Sequence, residues 1–168
     1  MITLGIDPGT ATMGYGVVER RNDEFLCLEY GIISTEKGHS PSYRLHVLSE
    51  NISSLIEKYS PAMLAIENVY FFKNIKTVIP VSQAKGAIMA TAEKENVPVR
   101  EFTPLQIKMA ITGYGKADKA QVQEMIKITL NLEKKPSPND AADALGAAIS
   151  GILEKESPLS SLDEEGEN

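Results

Sequence analysis

Ile2-Thr3-Leu4-Gly5-Ile6-Asp7, followed at once by Pro8-Gly9-Thr10, is the stretch from which the fold is read. A short apolar run that stops at an acid, a proline and a glycine describes a strand entering a turn. Working outward, residues 12–20 and 25–34 have the same strand character, through Tyr15, Val17 and Val18 in one and Phe25, Leu28, Ile32 and Ile33 in the other. Asn22-Asp23 lies between them and favours a hairpin. Gly14 and Gly16 fall on one side of their strand, which leaves that side bare for close approach of another backbone.

Beyond this hairpin the pattern changes to helices alternating with strands. Ser40-Pro41 opens a helix with proline at its favoured first position, and Leu45, Leu48, Ile52, Leu55 and Tyr59 follow as one buried stripe. Met63-Leu64-Ala65-Ile66-Glu67 is a continuous apolar run of central-strand type. Residues 77–95 read as a second long helix with Pro80 near its start, and Gly86 within it predicts close packing. Val97 to Phe102 is the fifth strand, and Thr103-Pro104 starts a short helix through Ile111. After Gly113-Tyr114-Gly115, residues 118–130 are helical, with Val122, Met125, Ile126 and Leu130 inward and Lys119, Gln123 and Lys127 on the opposite side. A loop from Lys134 to Asn139 leads to a last helix from Asp140 to about Glu154. Three strands that pair antiparallel, then two reached by helical crossovers, predict an α/β fold: a mixed five-stranded sheet with helices on both faces.

Length and charge set the outer limits. A chain of 168 residues fits one domain with a real core, and its single cysteine, Cys27, excludes an internal disulfide framework and suits a reducing, cytoplasmic compartment. Asp7 and Pro8 interrupt the N-terminal apolar run, so it does not read as a signal peptide, and no stretch has the roughly 18 apolar residues of a membrane span. Net charge is −6, yet residues 154–168 alone hold six acids and one base. Residues 1–154 are therefore expected to form the domain and 155–168 a disordered acidic tail. Between residues 68 and 139 the balance reverses, with eleven Lys/Arg against six acids, so a low pI does not exclude a polyanion on one face.

Four acids carry the chemistry. Asp7 and Glu67 each end an apolar strand, at the edge where open sheets place their ligands. Asp140 and Asp143 are three apart on the last helix, whose many alanines allow it to pack closely on a sheet. Convergence of four carboxylates needs neutralising, and hard divalent cations such as Mg²⁺ or Mn²⁺ take carboxylate oxygens while keeping positions open for a phosphate. Tyr70-Phe71-Phe72, followed by Lys73, Lys76 and Lys85, is an aromatic patch beside positive charge, suited to stacking on unpaired bases and holding phosphates. Lys116, after Gly113-Tyr114-Gly115, is a further phosphate contact in this reading. His39 and His46 lack a neighbouring acid motif and read as surface residues, while Cys27 reads as a small core group.

Gly5-Ile6-Asp7-Pro8-Gly9-Thr10, Ile66-Glu67-Asn68-Val69-Tyr70 and Asp140-Ala141-Ala142-Asp143-Ala144-Leu145, in this order and separation, resemble the RuvC-type Holliday-junction resolvases. The resemblance runs from about residue 2 to 153 and takes in Tyr15-Gly16-Val17, Gln83-Ala84-Lys85-Gly86 and Lys119-Ala120-Gln121-Val122-Gln123. It implies a ribonuclease-H-like fold and a homodimer that nicks opposed strands of four-way junction DNA. It also implies Mg²⁺, with Mn²⁺ able to substitute and two ions per site, held by Asp7, Glu67, Asp140 and Asp143. Lys108 and Lys119 match lysines near the scissile phosphate, Tyr70 matches an aromatic that approaches the junction bases, and a branch-migration motor of RuvA and RuvB is the implied partner. The competing readings are a related nuclease that processes RNA and a module that binds junctions without cutting them. An actin-like phosphotransferase shares the Asp-x-Gly-Thr loop but needs two lobes, and this length supplies one.

Overall fold

A computed structural model describes residues 1–36, 38–68 and 75–156, with the side chains of 75–77 left aside. Five strands, β1 (Ile2–Asp7), β2 (Thr12–Arg21), β3 (Glu24–Ser34), β4 (Met63–Glu67) and β5 (Val99–Phe102), form one sheet in the order β3-β2-β1-β4-β5. β1 pairs antiparallel with β2, and β2 with β3; β1 pairs parallel with β4, and β4 with β5. The predicted three-plus-two sheet is the one observed. Asn22 and Asp23 make the β2–β3 turn at φ of 49° and 65°, left-handed values that short polar side chains accept.

Helices α1 (Pro41–Tyr59) and α2 (Ile75–Lys94) cover one face of the sheet. Leu48, Ile52 and Ile56 of α1 and Ala84, Ile88 and Ala92 of α2 pack there on Leu4, Ile6, Met13, Val17, Leu64 and Ile66. Helices α3 (Pro104–Thr112), α4 (Lys119–Thr129) and α5 (Asn139–Glu156) cover the other face, through Ile107, Val122, Ile126, Leu145, Ile149 and Ile152. Strand parity sorts the residues. In β1, Leu4 and Ile6 point to α1 and α2, while Thr3, Gly5 and Asp7 point to α5.

The glycines at this second face let α5 sit against the sheet backbone. A Cβ on Gly14 would overlap the carbonyl oxygen of Asp140, and one on Gly5 the carbonyl oxygen of Ala144. At Gly16 it would lie 2.7 Å from a Leu145 methyl. The bare strand face read from Gly14 and Gly16 is thus the seat of α5, with Ala141, Ala144 and Ala148 fully buried above it.

Some local expectations are corrected. Gly86 has nothing among the described residues within 4 Å of its Cβ direction, so none of them packs closely on it. Met125 is exposed, because the buried side of α4 is set by Val122 and Ile126 and Met125 lies beside that stripe. Leu55 and Tyr59 are only half-buried, the innermost residue of that turn being Ile56. Pro80 lies inside α2, which begins at Ile75, since a proline in the second turn removes one backbone bond without ending the helix. Strand β5 begins at Val99, because Asn96 at φ 58° still belongs to the turn after α2. Helix α5 runs on through Lys155 and Glu156, two residues that the sequence reading put in the tail, and Glu156 pairs with Arg20 at 3.1 Å.

Candidate active site

Parity and strand order bring the acids to one end of the sheet. Asp7 closes β1, Glu67 closes the parallel neighbour β4, and both face α5. Because Gly14 sits opposite Asp7 on β2 and directly beneath Asp140, the first turn of α5 is held at the same edge. Oxygens of Asp7, Glu67 and Asp143 lie within 4.8 Å of one another. Asp140 stands outside this trio. Its Oδ2 accepts a hydrogen bond of 2.9 Å from the Thr12 hydroxyl, at the start of β2.

The electrostatics of the cluster are costly. Burial, then the charges of Glu67, Asp143 and Asp140, push the Asp7 carboxyl up from 3.8 to about 8. Burial and Asp143 push Glu67 up to about 7. Asp7 therefore feels all three other acids, while Asp140 contributes nothing resolved at Glu67. This donor set fits a hard divalent cation, since it offers carboxylate oxygens with no sulfur or imidazole among them.

Two lysines face the acids. Asp118 caps α4, its side chain accepting from Gln121 N while the Gln121 side chain accepts from Asp118 N, and this fixes Lys119 as the first helical residue. Lys119 Nζ donates to Asp143 Oδ2 at 2.7 Å. Burial pulls its ammonium down, but the Asp143 bond and the charges of Asp143, Asp7 and Glu67 carry it above its ordinary value. Thr103 caps α3 in the same reciprocal way with Gln106 and so aims Lys108 at the site. Lys108, Lys119, Glu67 and Asp143 line a pocket of about 220 Å³, and Lys108 makes no ion pair among the described residues.

The remaining expected contacts divide. Lys116 is exposed on the loop between α3 and α4, with no partner among the described residues. Lys85 is turned to its own sheet: it pairs with Glu101 and donates to Asn68 Oδ1 at 3.3 Å. Tyr70, Phe71, Phe72 and Lys73 lie outside the described residues, as does the side chain of Lys76. His39 and His46 are exposed, and Cys27 is half-buried. Thr12 is the site residue that sequence reasoning passed over. Its signal was present: Thr12, Gly14 and Gly16 alternate on one strand side, so the helix that packs on the glycines also comes within reach of the hydroxyl.

Comparison with known proteins agrees with this geometry. Residues 3–151 match the family described as crossover junction endodeoxyribonuclease RuvC. A relative of that name from Petrotoga mobilis is 49% identical over 149 residues, 89% of this chain and 91% of the relative. One from Caldicellulosiruptor saccharolyticus is 46% identical over 165 residues, covering 98% and 99%. Among solved structures, T. thermophilus RuvC in complex with a Holliday junction substrate superposes with a TM-score of 0.85 at 25% identity, over 93% of this chain and 96% of that one. With the match spanning the sheet and all four acids, the chain belongs to the RuvC family of crossover junction endodeoxyribonucleases.

Proposed function

We propose that the chain is a structure-selective endonuclease that resolves four-way DNA junctions by metal-dependent nicks in opposed strands. The observation that carries this reading is the trio of Asp7, Glu67 and Asp143, within 4.8 Å of one another, inside a fold of the RuvC family. Mg²⁺, or Mn²⁺ in its place, held by these three with Asp140, would supply an activated water and stabilise the leaving oxygen of a phosphodiester displacement. The chain's own residues have separable tasks. Asp7, within reach of the charges of Glu67, Asp143 and Asp140, is the acid around which the site is organised. Lys119 offsets the cluster's charge and holds the Asp143 carboxylate in place. Lys108, lining the same pocket with no ion pair among the described residues, is placed to meet a phosphate oxygen as charge develops on it. Thr12 fixes one oxygen of Asp140 and leaves the other available.

Two opposed nicks need two sites, and the described residues of one chain contain one trio, so the working unit in this proposal is a homodimer. Lys116, with Tyr70, Phe71, Phe72, Lys73 and Lys76, makes up the rest of the proposed DNA surface; Lys85 contributes least, since Glu101 already matches its charge. A branch-migration motor of RuvA and RuvB is the proposed partner. No described helix is long and apolar enough to cross a membrane, and a cytoplasmic location goes with these partners. The intact acid cluster favours cleavage over a binding-only module.

The test is cleavage of a synthetic four-way junction, with linear duplex of the same sequence as control. Paired nicks in Mg²⁺, much faster on the junction than on the duplex, are expected. Binding without cleavage in either Mg²⁺ or Mn²⁺ would overturn the nuclease reading.

A further inference from the structure

Four arginines of the described residues are placed differently. Arg20 pairs with Asp23 and Glu156, Arg21 pairs with Glu19, and Arg100 is exposed on β5. Arg44 is half-buried and no carboxylate among the described residues reaches it. It is in the first turn of α1, where the helix dipole disfavours a cation, so its charge does not serve the helix. A guanidinium is always charged, and holding one partly out of water without an anion is unfavourable.

Its orientation is fixed. Arg44 Nε donates to Thr35 Oγ1 at 2.8 Å, and the Thr35 hydroxyl donates in turn to the Thr10 carbonyl. Thr35 N donates to Ala11 O at 3.0 Å. Thr10 and Ala11 belong to the loop that leaves Asp7 and enters β2, where Thr12 pairs with Ser34. The Arg44 side chain is thereby tied to the loop that follows Asp7, at the edge of the sheet where the carboxylates gather. With Nε engaged, both Nη groups have no partner among the described residues and form a fork, the geometry that grips two oxygens of a phosphate. Glu36, beside Thr35, is turned to His39 at 3.3 Å instead.

We infer that Arg44 is a further phosphate-binding residue, which takes a backbone phosphate of the DNA on the α1 side of the carboxylate cluster. Lys108 and Lys119 lie on the side covered by α3, α4 and α5, and Arg44 on the side covered by α1. A strand laid across this edge with one phosphate at the acids has a cation on either flank. The inference rests on the nuclease reading above and adds a contact that the acid cluster and its lysines do not supply.

Binding of a fluorescent four-way junction, followed by anisotropy in EDTA at several salt concentrations, tests it. Arg44→Ala is expected to weaken binding about tenfold and to lower the log–log salt slope by about one, the signature of one lost phosphate contact. Arg44→Lys should keep the slope and lose part of the affinity. Thr35→Val, which retains the charge but frees the guanidinium, should also keep the slope. Thermal melts confirm that each variant folds, and Arg44→Gln, which can retain the bond to Thr35, replaces the alanine variant if that one does not. A folded Arg44→Gln or Arg44→Ala with unchanged slope and affinity would reduce Arg44 to a tie for the Thr10 loop and overturn the inference. Failure of the unsubstituted protein to bind junctions would instead remove the nuclease reading.

Discussion

Replacing Asp7 by Asn should stabilise the metal-free protein while abolishing its activity, and the pH dependence of that stabilisation can be worked out. The Asp7 carboxyl is raised from 3.8 to about 8, by burial first and then by Glu67, Asp143 and Asp140. A raised pKa means that the fold favours the protonated form. Its contribution is therefore fully present below the unfolded value near 4 and is lost as pH rises through about 8. At about 1.4 kcal/mol per pKa unit, the upper limit of that loss is roughly 6 kcal/mol. Water reaching the half-buried group and the facing Lys119 ammonium reduce it, and about 2–3 kcal/mol is expected. Asn has nearly the same shape and no charge to desolvate. In EDTA at pH 8.5 the variant should melt roughly 4–12 °C above the unsubstituted protein, given the usual size scaling. At pH 4.5 the two curves should nearly coincide. Melting followed by circular dichroism across this range measures the difference directly. Millimolar Mg²⁺ should raise the melting temperature of the unsubstituted protein most at high pH and leave the variant almost unmoved. A difference that stayed constant with pH, or a variant less stable at pH 8.5, would refute the account of a repulsive, desolvated cluster.

Further predictions concern single groups elsewhere in the fold. Lys119→Ala should slow junction cleavage by about 10²-fold under single-turnover conditions while weakening binding much less, since it releases the Asp143 carboxylate and removes the charge that offsets the acid cluster beside the reacting phosphate; equal losses in rate and binding would make Lys119 a contact that only holds the DNA. Gly14→Ala drives a Cβ into the Asp140 carbonyl, a backbone atom that cannot step aside, so urea melts should show a loss of about 1–3 kcal/mol, with cleavage falling further than stability because the first turn of α5 is displaced. Glu29 is lowered from 4.5 to about 2 by donors from Lys58, Tyr59 and Tyr15, so its contribution is present above pH 4.5 and lost as pH falls toward 2; the melting difference between Glu29→Gln and the unsubstituted protein should be flat above pH 5 and shrink below it.

Periodicity made the fold legible, but pairwise geometry was not legible in the same way. Strand parity through Gly14 and Gly16 anticipated a close backbone neighbour, and α5 is that neighbour. Apolar runs ending in Asp7 and Glu67 put both acids at one sheet edge, because β1 and β4 are parallel and in register. What spacing could not tell was how the four acids would divide. Asp140 and Asp143 lie on one side of α5, yet three residues of helix rise separate them by about 4.5 Å along the axis. That shift leaves Asp143 with Glu67 and sends Asp140 to Thr12. Lys85 was read as a DNA contact from its place in a basic run, and only the fold shows that Glu101 and Asn68 on the neighbouring elements claim it. The exposed Met125 and the open surroundings of Gly86 among the described residues depart from the sequence reading for another reason, since residue type says how well a side chain can be buried and not whether anything arrives to bury it.

The net charge of −6 carries little information about DNA, because it sums groups with different tasks. Six of the 23 acids stand in residues 154–168, and Glu156, the last residue of α5, is matched by Arg20. Four more, Asp7, Glu67, Asp140 and Asp143, are gathered at one sheet edge, where divalent cations would reverse their local field. The cations proposed to meet DNA at that edge are Lys108, Lys116, Lys119 and Arg44, held by separate elements on both faces of the sheet. The salt dependence of binding counts phosphates contacted, not net charge. An acidic chain with four such cations should therefore bind a junction that presents phosphates to all of them, and bind linear duplex weakly. A chain whose affinity followed its net charge would bind neither, so the ratio of junction to duplex affinity, and not either value alone, measures how far the placement of these cations governs recognition.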